Sequence, residues 1–303
     1  MRVFVTGATG FIGSAVVREL LDAGHTVSGL ARSDASAEAL TAAGAAVHRG
    51  SLDDPDSLRR GAAAADGACH LAFVHDFSEL SAFAASCALD LRAIETIGEV
   101  FAGTGKPFVV TSGTPGLDRG RVATEEDLAA PESFVSVRQP SEVAAVALAE
   151  RGVRSSVVRL PRSVHGTGDK GLVPGLIAVA RQTGRAAYVG DGTNRWPAVH
   201  RLDAARLYRW ALESAPAGTR YHAVGDEGLP MRDIAELIAT RLGVRAGSVT
   251  PDEAAGTLGF LGRVAALDCP ASSTLTQKRT GWQPVEVGLM ADLEAGHYFD
   301  DAQ

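Results

Sequence analysis

The tightest constraint on this chain lies in its first thirteen residues, Met-Arg-Val-Phe-Val-Thr-Gly-Ala-Thr-Gly-Phe-Ile-Gly. Arg2 to Val5 reads as a short apolar strand. Gly7, Gly10 and Gly13 follow three residues apart, and an apolar-patterned helix continues through Val16, Val17, Leu20 and Leu21. A strand, a glycine turn and a helix N-terminus together make a pocket for a phosphate. Helix-end N–H groups point at the anion, the dipole favours its charge, and glycine lets the backbone come close. In this context the glycines mark a dinucleotide site built from Thr6, Gly7, Thr9, Gly10, Phe11, Ile12 and Gly13.

The rest of the N-terminal half repeats the unit. His25 to Leu30, Ala46 to His48, Gly67 to Ala72, Pro107 to Thr111 and Arg154 to Leu160 read as strands. Helical patterns cover 34–43, 54–63, 80–101 and 141–151, with Asp53 or Asp54 as the cap of the second of these. Strands alternating with helices of ten or so residues predict an α/β fold: a doubly wound parallel sheet with helices on both faces and ligand over the strand C-termini. The polar stretch 116–136, with Pro131, reads as a surface loop. From Pro161 the pattern breaks into short helices and glycines. This predicts a Rossmann domain over 1–165 with a returning segment at about 193–224, and a smaller substrate-binding region from 166–192 and 225–303.

Composition sets outer limits. At 303 residues, 46% hydrophobic and 21% charged, the chain suits one large α/β unit or two modest domains. A net charge of −7 without any Lys/Arg-rich stretch argues against nucleic acid as a partner, and no apolar run is long enough to span a bilayer. The glycine motif starts so near Met1 that no leader is expected. Cys69, Cys87 and Cys269 are widely spaced, so reduced core thiols, no metal centre and a cytoplasmic location are expected.

The cofactor's identity turns on the end of the second strand. NAD-binding folds of this kind place an acidic residue about 20 positions beyond the glycines. Here Arg32 and Ser33 stand there, and a guanidinium beside a hydroxyl suits the 2′-phosphate of NADP(H) better than the free ribose of NAD(H). A solvated surface arginine is the plainer reading. Asp53 either approaches the adenine amine or caps a helix.

These residues together resemble the extended short-chain dehydrogenase/reductase family over nearly the whole chain. The resemblance rests on Thr6–Gly13, on His70-Leu71-Ala72, on Thr111-Ser112-Gly113 and on Arg159 to Gly166. It continues through Gly190-Asp191-Gly192, Val199 to Asp203 and Gly281-Trp282-Gln283-Pro284. It implies a Rossmann fold, with Leu71, Ala72, Phe73 and Pro161 joining the cofactor wall. Family members carry Tyr-x-x-x-Lys on the helix after the fifth strand. The tyrosine protonates the substrate oxygen, and the lysine lowers its pKa and holds the nicotinamide ribose. The matching stretch here is Arg138-Gln139-Pro140-Ser141-Glu142, so the chain resembles an atypical subgroup without that pair.

Several residues can stand in. Arg138 cannot donate a proton but can stabilise an oxyanion. Glu142 can relay one if burial raises its pKa. Four residues apart on a helix, the two can equally form an ordinary ion pair. Ser112 and Thr114 lie where the family places a substrate-orienting hydroxyl, or they simply close a strand end. His75 offers an imidazole proton donor, or a solvated loop histidine. His165, Tyr188, Trp196 and His200 fall in segments that can line a substrate pocket, though rings there more often pack.

The leading expectation is an NADPH-dependent reductase of a small or medium carbonyl or imine compound; an imine can arrive already protonated. The alternatives are an NADP(H)-binding sensor without hydride transfer, or an epimerase or dehydratase that retains NADP. The resemblance also implies a homodimer through a four-helix interface of residues 80–101 and 141–151. The alanine and leucine of both helices equally suit packing on the sheet.

Overall fold

A computed structural model describes residues 1–300 other than 77–78, 118–119, 131–132 and 259; Pro131 therefore lies outside the described residues. The first half runs β1 (Arg2–Thr6), α1 (Phe11–Asp22), β2 (Thr26–Ala31), α2 (Asp34–Ala42), β3 (Ala46–Arg49), α3 (Pro55–Ala63), β4 (Gly67–His70), α4 (Leu80–Phe101), β5 (Pro107–Gly113), α5 (Gln139–Ala147) and β6 (Arg154–Leu160). The second half runs β7 (Ser163–His165), α6 (Leu172–Thr183), β8 (Arg185–Val189), β9 (Arg195–His200), α7 (Arg201–Ser214), β10 (Thr219–His222), β11 (Asp226–Pro230), α8 (Met231–Leu242), β12 (Arg245–Val249), α9 (Pro251–Leu258), α10 (Phe260–Ala265), α11 (Thr274–Thr280) and α12 (Leu289–Glu294).

Seven strands form one parallel sheet in the order β10-β6-β5-β4-β1-β2-β3. Its strands read as near-continuous apolar runs because helices cover both faces. Alternation along β1 shows the division. Val3 and Val5 point into a cluster with Val16, Leu20, Leu207 and Leu212 of α1 and α7, whereas Phe4 points the other way, against Leu58, Ile94, Ile97 and Phe108. Strand order reverses between β1 and β4, and the crevice at that reversal, outside the carboxyl ends of the strands, is where such sheets take ligands.

The remaining chain builds a second core around Val173, Ile177, Trp196, Ile234 and Leu289. A three-stranded sheet, β11-β9-β7, and the parallel pair β12-β8 belong to it. Ser163–His165 join this smaller sheet, and of the segment 193–224 only β10 enters the main one, with α7 packed on its face. The stretch 116–136 is no simple surface loop. Leu117, Ala123 and Ala130 are buried, and Glu125 accepts hydrogen bonds from the backbone N–H and hydroxyl of Thr276, both at 2.6 Å. The three cysteines are buried and none is in a disulfide, and no described helix is long and apolar enough to cross a membrane.

Two glycines of the opening motif are fixed by space. Gly7 has φ +68°, and a Cβ on it would lie 2.6 Å from the Ala72 nitrogen; on Gly13 a Cβ would lie 1.9 Å from the Gly7 oxygen. Gly13→Ala is therefore expected to destabilise the protein by about 2 kcal/mol or more. Gly256→Ala on α9, where an added methyl meets nothing, gains about 0.5–1 kcal/mol. Urea unfolding of the two variants checks the contrast, and equal effects would contradict the close approach.

Candidate active site

A cavity of about 1220 Å³ opens over the carboxyl ends of the main sheet. On one side lies the glycine turn. Gly10 caps α1 without a side-chain hydrogen bond, and no acidic residue occupies the first turn. The leading N–H groups and the dipole of α1 are thus free to take an anion. Gly7, Thr9, Phe11 and Ile12 line this part, while Leu71, Ala72 and Phe73 after β4 and Pro161 after β6 form the facing wall. A turn that admits no Cβ beside an uncapped helix start fits the pyrophosphate of a dinucleotide. Thr6 is different: fully buried, it stands behind the wall and not on it.

Arg32, Ser33 and Asp53 line the far end. The Ser33 hydroxyl accepts a hydrogen bond from the Ser36 N–H and caps α2, so its oxygen is already engaged. Arg49 holds Asp34, two positions along the chain from Arg32, at 2.7 Å, and the carboxylate that feels the Arg32 charge is Asp53. Asp54 caps α3, accepting from the Ser57 N–H at 3.0 Å. Asp53 is therefore released from the capping role. Its carboxyl sits below the usual range, mainly through the hydrogen bond donated by Ser51.

Behind the wall runs a line of buried polar groups. The Ala72 N–H donates to Thr6 Oγ1 at 3.2 Å, and Thr6 Oγ1 lies 2.8 Å from His70 Nδ1. His70 Nε2 lies 3.1 Å from Asp90 Oδ1. One proton assignment satisfies all three contacts: Thr6 donates to Nδ1, and the Nε2–H donates to Asp90. Asp90, on α4, is 1% exposed. Its other oxygen faces Arg138 Nε at 3.6 Å, and Arg138 Nη2 donates to the Thr111 carbonyl at 3.3 Å. Burial pushes the Asp90 carboxyl up. The hydrogen bond from His70 and the charge of Arg138 outweigh it, and the group stays below the ordinary carboxylate range. The Arg138 guanidinium stacks 4.0 Å from the centroid of the Phe73 ring and reaches the cavity surface. Thr111 donates to the His70 carbonyl at 2.7 Å and meets the buried Tyr208 hydroxyl at 2.7 Å.

Arg138 and Glu142 do not pair with each other. Glu142 accepts from Arg159 at 2.6 and 3.0 Å and from Arg220 at 2.7 Å, arginines that arrive from β6 and β10. Burial alone would raise its pKa, but Arg159 first, then Arg220 and the Ser112 hydroxyl, bring it down to about 2. This corrects the expectation of a raised carboxyl able to relay a proton: Glu142 is a fixed anion. Ser112 lines the cavity, and with its proton turned to Glu142 it presents acceptor lone pairs there. His75 is on the rim, its ring 5.2 Å from that of Phe73. Partial desolvation, then the charge of Arg138, lowers its pKa, so the ring is neutral at pH 7 and donates a hydrogen bond more readily than a proton.

The expected substrate residues lie elsewhere. Thr114 is buried, its N–H bound to the Leu160 carbonyl. His165 is fully buried and bonds Asp292 at 2.8 Å, because β7 turns its side chain towards α12. Trp196 is fully buried in the second core, Tyr188 stacks with Arg232, and His200 caps α7. None of the five lines the cavity, nor does any of the four tyrosines. In their place the wall carries Arg162, Asp169 and Lys170. Nothing in local spacing marks Arg162, Asp169 or Lys170 for this wall. The available signal for Asp90 was a lone charge inside the apolar stripe Phe83, Cys87, Ile94, Ile97 and Phe101 of α4.

An uncapped glycine turn under a parallel sheet, with a cavity reaching past it, defines a dinucleotide-binding Rossmann protein. The sequence pattern described as "NAD dependent epimerase/dehydratase family" matches residues 3–224, and the chain belongs to that family, within the extended short-chain dehydrogenases/reductases. An uncharacterized protein of Schizosaccharomyces pombe is 49% identical over 300 residues, covering 99% of this chain and 100% of the relative. A 2-alkyl-3-oxoalkanoate reductase of Stenotrophomonas maltophilia is 29% identical over 258 residues, 80% of this chain and 76% of that one. Among solved structures, the dTDP-glucose 4,6-dehydratase DesIV of Streptomyces venezuelae, determined with NAD bound, superposes with a TM-score of 0.80. It covers 98% of this chain and 96% of its own at 22% identity, a likeness of fold.

The Glu142 cluster makes a pH prediction. Its folded-state pKa, about 2, lies below the ordinary 4.5, so the carboxylate stabilises the fold above pH 4.5 and that contribution is lost as pH falls towards 2. Glu142→Gln lowers stability at pH 7 by on the order of 3 kcal/mol, and the gap to wild type closes across that window. Urea unfolding at stepped pH reads it; a gap independent of pH would contradict it.

Proposed function

We propose that the protein is an NADPH-dependent reductase of a small or medium carbonyl or imine compound. The observation that carries this reading is the Arg138 guanidinium, which is held from behind by Asp90 and presented to the cavity beside the cofactor wall at Phe73. The glycine turn and this wall would hold a nicotinamide dinucleotide, whose chemistry when bound would be hydride transfer. As the substrate oxygen gains negative charge, Arg138 stabilises it with preorganised N–H donors in a site shielded on one side by protein. Glu142 is held ionised and His75 neutral, so the proton that completes the alcohol or amine comes from water at the open mouth of the cavity, or with the substrate itself when that is an iminium. The name of the Stenotrophomonas relative, a reductase of a 2-alkyl-3-oxoalkanoate, agrees with this class of reaction.

The preference for NADPH rests on Arg32, which lines the cavity's far end beside Asp53, with Asp34 engaged by Arg49. A guanidinium fork on a 2′-phosphate contributes a charge-assisted contact that NADH lacks.

Two measurements test the reading. Stereospecifically deuterated NADPH transfers its label to a carbonyl or cyclic imine product. Binding of NADPH without transfer to any member of such a panel would instead support a sensor, and label returned to the cofactor would support an epimerase or dehydratase. Arg32→Ala weakens NADPH by about tenfold or more and leaves NADH within about twofold. Equal affinity of the wild type for both cofactors would defeat the NADPH assignment.

A further inference from the structure

The cavity extends beyond the cofactor wall to the segment after β6 and the loop before α6, where Arg162 and Lys170 stand on its surface. Arg162 is half-buried. Its guanidinium lies 5.8 Å from the centroid of the Trp196 ring, Nη2 donates to Cys269 Sγ at 3.6 Å, and Nε is buried without a partner. Among the described residues neither Arg162 nor Lys170 has a carboxylate within 4.0 Å. The other charges of the wall are accounted for: Arg138 by Asp90, Glu142 by Arg159 and Arg220. Asp169 accepts from the Gly171 N–H at 2.7 Å and the Tyr298 hydroxyl at 3.1 Å, and burial raises its pKa. The substrate end of the cavity therefore sets Arg162 and Lys170 against the single carboxylate of Asp169, an excess of one cation. A guanidinium drawn partly out of water with a vacant N–H is an unfavourable arrangement unless a ligand brings the anion.

We infer that the substrate bears an anionic oxygen group, a carboxylate or a phosphate, that the Arg162 fork receives, with Lys170 adding charge at the mouth. This rests on the reductase reading for the reaction and stands apart from it for the binding. Arg162 becomes a specificity residue. A charged substrate satisfies its N–H groups and is positioned with the carbonyl facing Arg138, while a neutral analogue of the same shape leaves the cation unpaired.

The test uses the full chain loaded with NADPH and two matched pairs of carbonyl compounds, acetoacetate with methyl acetoacetate and dihydroxyacetone phosphate with dihydroxyacetone. One charged member exceeds its neutral partner in kcat/KM by about tenfold or more, and which pair does so distinguishes carboxylate from phosphate. Arg162→Gln collapses that ratio to about one, chiefly through KM, and Arg162→Lys retains part of it. NADPH binding by both variants shows that they are folded. Neutral members that match or exceed the charged ones in the wild type, or a ratio that survives Arg162→Gln, overturn the inference. Should no compound oxidise NADPH, the reductase reading falls, and calorimetry of 3-hydroxybutyrate and of inorganic phosphate on the NADPH-loaded protein decides the anion site alone. Binding lost in Arg162→Gln supports the site, and no binding of either anion to the wild type overturns it.

Discussion

A carboxylate almost sealed from water must be met by donors, and the rest of this site follows from how Asp90 is met. One oxygen takes the Nε2–H of His70 from β4; the other faces Arg138, which ends the turn before α5. His70 in turn holds Thr6 of β1, whose hydroxyl fixes the Ala72 N–H in the cofactor wall. The strand that opens the glycine turn and the group proposed to meet the substrate oxygen are thus linked through one buried charge. Removing one partner from such a set leaves an uncompensated ion, at a cost of about 3–5 kcal/mol, so the side chains on either side of the cofactor wall are held in fixed relation.

Two arginine-bound carboxylates divide the work beneath the cavity. Asp90 directs a cation into the cavity; Glu142 is consumed by Arg159 and Arg220 and ties β6 and β10 to α5. The same helix start therefore carries one group turned to chemistry and one turned to structure. With Glu142 held ionised and His75 lowered in pKa, the proposed reduction draws on electrostatics and on a proton from water or the substrate.

The legible parts of the sequence were local. The glycine spacing, the apolar strands and the long helix over 80–101 announce themselves by period, and the structure reproduces them because each satisfies its own backbone and buries one face. Arg32 was legible because its position is counted from the glycines. The partnerships of the site were not. Thr6, His70, Asp90 and Arg138 meet across separations of 20 to 64 residues, and nothing in a period of two or 3.6 says which will meet. His165 and Trp196 show the same limit. Chain direction after β6 indicates proximity to the cavity, but side-chain direction on β7 and β9 buries His165 against Asp292 and Trp196 in the second core. Asp90 could have been found, since a charged residue on the buried stripe of α4 needs a reason.

Stabilisation of the substrate oxyanion by the fixed Arg138 guanidinium, as proposed, is open to chemical rescue. In single-turnover reduction, Arg138→Ala slows hydride transfer by ~10²–10³-fold with NADPH affinity little changed. Free guanidinium ion, at sub-denaturing concentration, restores part of the rate by entering the vacated space between Asp90 and Phe73. Transfer at the wild-type rate in Arg138→Ala, or a loss that guanidinium leaves untouched while the variant still binds NADPH, would contradict it.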